Sequence, residues 1–192
     1  MLQRTACVFV FDGFADWEPA SALAELRRSF GFATRSFALS REPAVSMGGL
    51  RVVPDATIDE FEPASADILI LPGGESWMAG ERLEITAAVR AMAEASRPIA
   101  AICAATLALA HAGLLDDRLH TSNGAGFIQK YVPAYAGASF YRAAPAVSDR
   151  GIITASGVAP IAFAAEIFRL MAPEREQDIA MYESLYARGL IE

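Results

Sequence analysis

Apolar residues along this chain fall into short unbroken runs, separated by stretches in which they recur at helical spacing. Ala6 to Phe11, Ile68 to Leu71 and Pro98 to Ile102 are apolar throughout. Runs this short, bounded by polar residues, predict strands buried on both faces, as in a parallel sheet. Thr34 to Leu39 reads as a further strand. Leu23, Leu26 and Phe30 predict a helix with one face on the sheet. So do Ile85, Ala88, Val89 and Met92, and again Ile161, Ala164, Ala165 and Phe168. Asp16 stands where an N-cap would, and Gly31 ends that first helix. Val45 to Val53 predicts a hairpin turning at Gly48-Gly49. Ala146 to Ser148 with Gly151 to Thr154 predicts a second, around Asp149-Arg150. Phe127 to Tyr135 reads as a short helix, and Glu174 to Leu190 as a final amphipathic one. Strands alternating with helices of this length predict an α/β fold: a doubly wound sandwich, mostly parallel, with helices on both faces.

The most informative stretch is Arg97 to Gly113, RPIAAICAATLALAHAG. Its apolar run breaks at Cys103, and an Ala/Leu-rich helix follows from Ala104 to His111, with Gly113 as its left-handed stop. A residue on such a strand-to-helix elbow projects from the sheet, and the free amides of the helix point at whatever it attacks. Those amides and the helix dipole favour a thiolate, which predicts an acidic Cys103. The plainer reading makes Cys103 a small buried apolar residue.

A second stretch bears on that choice. Asp67-Ile68-Leu69-Ile70-Leu71-Pro72-Gly73-Gly74-Glu75 is an apolar strand running into a Gly-Gly loop. With the AICAAT elbow about thirty residues later, it resembles the ThiJ/PfpI superfamily. The resemblance runs from the VFVFDGF strand to the ASG segment near Ser156. It implies a flavodoxin-like fold in one domain spanning 1–192, with Cys103 as the nucleophile on its elbow. Amides at Gly73, Gly74 and Ala104 are then the candidates for holding a developing oxyanion. A homodimer is also implied.

Glu18 has two readings. As a first-turn acid it is an ordinary solvent-exposed helix start. The functional reading places its carboxylate beside the cysteine, because ligand sites of open α/β sheets gather at the C-terminal edge of the strands. The resemblance favours the second, since an acid at the start of the first helix faces the nucleophile in that superfamily. Asp16 is a further candidate of the same kind. Glu75, Ser76 and Trp77 follow the Gly-Gly loop at the expected pocket edge, where Trp77 either walls the pocket or covers apolar surface.

Histidine marks a departure. The superfamily's deglycase-like members partner the cysteine with a His where this chain has Asn123, and its peptidase-like branch has a His where this chain has Ala104. Asparagine donates a hydrogen bond but cannot act as a base. His120 reaches the pocket only if its segment bends back, and His111 reads as structural. The late H-x-E pair of glutamine amidotransferases is missing, because no histidine follows His120.

Composition narrows the partners. Among 192 residues, 54% are hydrophobic, enough for a sizeable core. A net charge of −7 argues against nucleic acid or an anionic membrane as partner. The six-residue apolar run before Asp12 is too short for a signal-peptide core or a membrane span. Two cysteines do not suggest a disulfide framework, so a reducing cytoplasm is expected. Neither histidine has metal-ligand spacing, so no metal and no cofactor is expected. The expected function is a cysteine-dependent enzyme in which Cys103 attacks a small carbonyl, amide or isocyanide carbon and Glu18 manages the proton. The alternative is a stress or redox protein whose Cys103 is oxidised without significant turnover.

Overall fold

The computed structural model describes residues 3–189. Strands β1 (Thr5–Phe9), β2 (Ala33–Ala38), β5 (Ala56–Thr57), β6 (Ile68–Leu71), β7 (Ile99–Ile102), β8 (Ala146–Asp149) and β9 (Ile152–Ala155) form one sheet; β3 (Ala44–Val45) and β4 (Arg51–Val52) pair separately as a hairpin. The sheet order is β5-β2-β1-β6-β7-β9-β8. Every pairing is parallel except that of β8 with β9. Because β6 and β7 have neighbours on both sides and helices above and below, all of their residues are buried, which is why they read as unbroken apolar runs.

The helices are α1 (Trp17–Arg28), α2 (Ile85–Glu94), α3 (Thr106–His111), α4 (Phe127–Tyr131), α5 (Pro160–Met171) and α6 (Glu176–Arg188). Helices α1, α5 and α6 pack on one another as one layer; α2, α3 and α4 form the other. This is the flavodoxin-like doubly wound arrangement. The last helix begins two residues later than the apolar pattern suggests, behind a 3₁₀ turn at Pro173–Arg175; Leu190, its expected end, lies outside the described residues. The short edge strand β5 had no signature of its own. Two residues after Pro54-Asp55 carry no readable period, and only pairing with β2 makes them a strand.

The chain crosses from one side of the sheet to the other at β1. Strand β2 lies on one flank of β1 and β6 on the other. The crevice at the C-terminal ends of β1 and β6 is therefore where such a sheet opens for a ligand. Three loops meet there and are tied by backbone bonds. Ala15 N donates to Gly73 O at 2.9 Å, Gly13 N to Val45 O at 2.8 Å, and Met47 N to Phe14 O at 2.9 Å.

Candidate active site

Cys103 sits one residue past β7 with φ 61°, in the left-handed region that a β-substituted residue adopts only at a cost. The first turn of the elbow, Cys103–Ala105, is 3₁₀ rather than α-helical. The Thr106 hydroxyl, fully buried, donates to Cys103 O at 2.8 Å and pairs with the Ser122 hydroxyl at 2.7 Å. Those bonds hold the elbow in its unfavourable conformation.

Glu18 is 1% exposed. Its Oε2 accepts the Gly73 N–H at 2.6 Å, which leaves Oε1 facing the cysteine. Two glycines set this spacing by lacking a side chain. A Cβ on Gly73 would lie 2.6 Å from Glu18 Oε2 and 2.7 Å from Cys103 Cβ. A Cβ on Gly157 would lie 2.7 Å from Cys103 Sγ and 3.0 Å from Glu18 Oε1. Neither glycine has a positive φ, so it is space rather than backbone freedom that requires them.

Asn123 completes the cage. Gly157 N can only donate, and it donates to Asn123 Oδ1 at 3.0 Å. The amide is thereby oriented, and its Nδ2 donates to Cys103 Sγ at 3.2 Å.

Burial pushes the Glu18 carboxyl above the ordinary carboxylate range, against the pull of the Gly73 N–H and the thiol. Burial also pushes the Cys103 thiol up, and the facing Glu18 carboxylate adds to that push, while the Asn123 amide and the Ala104 N–H pull down. The acidic thiol expected from helix amides alone is therefore corrected. A 3₁₀ turn and a six-residue helix are weak compensation for a buried neighbouring acid. The two groups titrate as a pair, and with one proton between them the proton lies on oxygen or on sulfur.

Residues 4–170 match the DJ-1/PfpI family. The chain belongs to the DJ-1/PfpI family. It is 38% identical over 176 residues to the "Uncharacterized protease YoaZ" of Bacillus subtilis (strain 168), across 88% of this chain and 84% of that protein. Its structure is similar to that of the DJ-1 superfamily protein Atu0886 from Agrobacterium tumefaciens, with TM-score 0.87 and 37% identity over 96% of this chain and 100% of that one. The thiJ/pfpI family protein from Bacillus anthracis superposes with TM-score 0.90 at 35% identity, over 97% of this chain and 91% of that one.

Other expected pocket residues of this DJ-1/PfpI chain lie elsewhere. His120 is fully buried; its Nδ1 donates to Arg118 O at 2.7 Å, so its Nε2 accepts the Tyr135 hydroxyl at 2.5 Å. Its segment runs past Tyr141 in a parallel bridge instead of bending back to the sulfur. Trp77 is core: its Nε1 donates to Pro72 O at 3.0 Å and its ring packs edge-on against Phe11, fixing the Gly-Gly loop from behind. Asp16 makes no cap bond. Its carboxylate accepts the Ser46 hydroxyl at 2.9 Å and Gly48 N at 3.3 Å, anchoring the hairpin turn. Glu75 is exposed on the 3₁₀ turn after Gly74. The Gly73 amide is committed to Glu18, which removes it from the oxyanion donors.

Gly157, Thr106 and Ser122 were not singled out as site residues by sequence. For Gly157 the signal was available: a glycine just past a strand end, on the edge where the elbow opens. For the hydroxyl pair there was none, because their contact joins residues 16 apart through the fold. Among the described residues, no three His, Cys, Asp or Glu side chains come together to hold a metal ion, and no helix is long and apolar enough to cross a membrane.

Proposed function

We propose that this protein is a cysteine-dependent enzyme acting on a small electrophilic carbon through Cys103 and Glu18. The observation that carries the reading is the shared cage: thiol and buried carboxyl lie against the same two glycines, one of whose amides holds Glu18 with Oε1 toward the sulfur. Such a carboxyl takes the thiol proton as the sulfur–carbon bond forms. The carbonyl π electrons move to oxygen, and Glu18 returns the proton to that oxygen. With the Gly73 amide taken by Glu18, the Gly74 and Ala104 amides are the donors for the developing charge, and Asn123 Nδ2 lies beside them at the sulfur. No histidine takes part, since His120 is spent on Tyr135 and Arg118.

Methylglyoxal, an isocyanide and a simple amide are the test panel, with wild type against Cys103→Ser. We expect turnover of at least one class by wild type and loss of at least a thousandfold in the variant, the scale of a lost nucleophile. Equal activity in both proteins, or none in either, would sink the reading. A redox role has one observation in its favour. The sulfur accepts from Asn123 Nδ2 and the Ala104 N–H, and the Glu18 carboxyl beside it donates whenever it holds its proton, which suits a sulfinate as well as a thiolate.

A further inference from the structure

A shallow groove of about 500 Å³ borders the cysteine cage, and Asn123 belongs to both. One wall comes from the segment ahead of β8 (Tyr141, Ala143, Pro145) and the other from the β9–α5 turn (Val158, Ala159). Val158 is 93% exposed, although it is apolar and follows the glycine that touches the sulfur. The volume falls in the ordinary range for small-molecule sites.

The polar groups of the groove are largely spent. Ala144 O accepts the Thr121 hydroxyl at 2.9 Å, Pro145 O accepts Ser156 N at 3.0 Å, and Ser156 O accepts Ala159 N at 2.9 Å. The Ser122 hydroxyl is paired with Thr106. Among the described residues the lining carries no charged side chain. The nearest cation in sequence, Arg142, is exposed and keeps its charge, but it is not part of the lining, and its Nη1 donates to Ser139 O and Tyr141 O. Beyond the groove the cage holds Glu18, and the hairpin next to it holds the Asp16 carboxylate. An anion entering here would find no cation in the lining to pair with; an alkyl group would meet apolar walls.

We propose that this groove sets specificity for the reaction at Cys103. It takes an uncharged substituent of several carbons attached to the electrophilic carbon, and it turns away substrates bearing a carboxylate. The proposal rests on Cys103 being the reactive thiol.

Alkylation rates at Cys103, read by peptide mapping and divided by those of N-acetylcysteine at the same pH, test it. N-hexylmaleimide should outpace N-methylmaleimide by about tenfold, a modest part of what five buried methylenes could supply. Iodoacetate should be disfavoured against the isosteric iodoacetamide by about tenfold, less at high salt. Val158→Asp should abolish the chain-length effect, and Val158→Lys should restore iodoacetate. Both substitutions fall on an exposed turn. Fast alkylation that ignores chain length, charge and both variants would overturn the groove alone. Cys103 reacting no faster than Cys7 with every reagent would overturn the reactive-thiol reading and the groove with it.

Discussion

Cys7 lies in β1 and Cys103 just past the end of β7, strands separated in the sheet by β6 alone, yet their surroundings have little in common. Cys7 lies mid-strand in β1, in register with Arg35 and Leu69, and is 1% exposed. Burial pushes its thiol up to about 11. Burial is also the first cause of the upward push on Cys103. Burial thus acts in the same direction on both sulfurs, although Cys103 is partly exposed and Cys7 is not. They differ in what the fold places beside them. Cys7 has sheet neighbours. Cys103 has an oriented amide, a buried carboxyl facing it, and two glycines that leave room for both. Burial alone makes an inert cysteine; reactivity requires polar partners brought to the sheet edge by other strands.

The largest break in that comparison should come from Gly157→Ala. The added methyl would sit well inside contact distance of Cys103 Sγ and Cβ while leaving the local backbone conformation allowed. We expect Cys103 alkylation by iodoacetamide to fall about a hundredfold, because a misplaced nucleophile loses its near-attack geometry. Cys7 should remain protected, which serves as the control for folding. Wild-type alkylation in the variant would mean that the cage is looser than its distances indicate.

The order of the elements was readable because periodicity reports burial, and in a parallel sheet burial follows sequence position closely. The strand at Ile68 to Leu71 lies where the apolar run places it, and the elbow at Cys103 is where strand signals give way to helix signals. Apart from Glu18 beside Cys103, which the sheet edge and the resemblance suggested, the contacts were not readable, for a physical reason. Gly157, Asn123 and Gly73 come from three loops and Glu18 from the first turn of α1, and what joins them is the sheet order, which no local pattern encodes. Trp77 shows the limit from the other side. A large aromatic beside a Gly-Gly loop can face either way, and only Phe9 and Phe11 on β1's side decide that it faces inward.

A smaller effect, but a more telling one, is expected from the pH dependence of Cys103 alkylation. If the pair shares one proton, the rate rises first as that proton count is reached, at Glu18's raised value. It then holds a plateau and rises again as the thiol itself titrates. Cys7 has no such partner, so whatever alkylation it undergoes in the folded protein follows a single step. Glu18→Leu should remove the lower step and slow alkylation about tenfold on the plateau. Glu18→Gln keeps an acceptor for Gly73 N–H and a donor for sulfur, so it should lose the step but less of the rate. Stability gives a second readout. A carboxyl whose folded value is raised adds stability below its unfolded value near 4.5, and that contribution disappears as pH rises through the folded value. Glu18→Gln should therefore be more stable than wild type at neutral pH and lose that advantage in acid. A single-step wild-type profile that matches Glu18→Leu would reduce Glu18 to a buried structural acid.

The smallest effect on the thiol should come from His120, three residues from the Asn123 that touches it. Its ring is closed off by Tyr135 and Arg118, so His120→Gln should leave Cys103 alkylation near neutral pH within about twofold of wild type. Its consequences belong to stability instead. Burial holds the imidazole below its ordinary value of 6.5. A base depressed in this way contributes stability above its unfolded value, and the contribution drains away as pH falls through the folded one. Wild type should therefore lose stability below about pH 6.5 more steeply than His120→Gln. At higher pH the variant should be weaker, by about 1–3 kcal/mol, if the Tyr135 hydroxyl is left without its acceptor. Urea titrations at pH 5 and pH 8 would separate the two regimes. A tenfold loss of Cys103 alkylation in a folded His120→Gln protein would show that the two ends of this four-residue segment are coupled, and that the sulfur's environment extends further into the core than its direct contacts do.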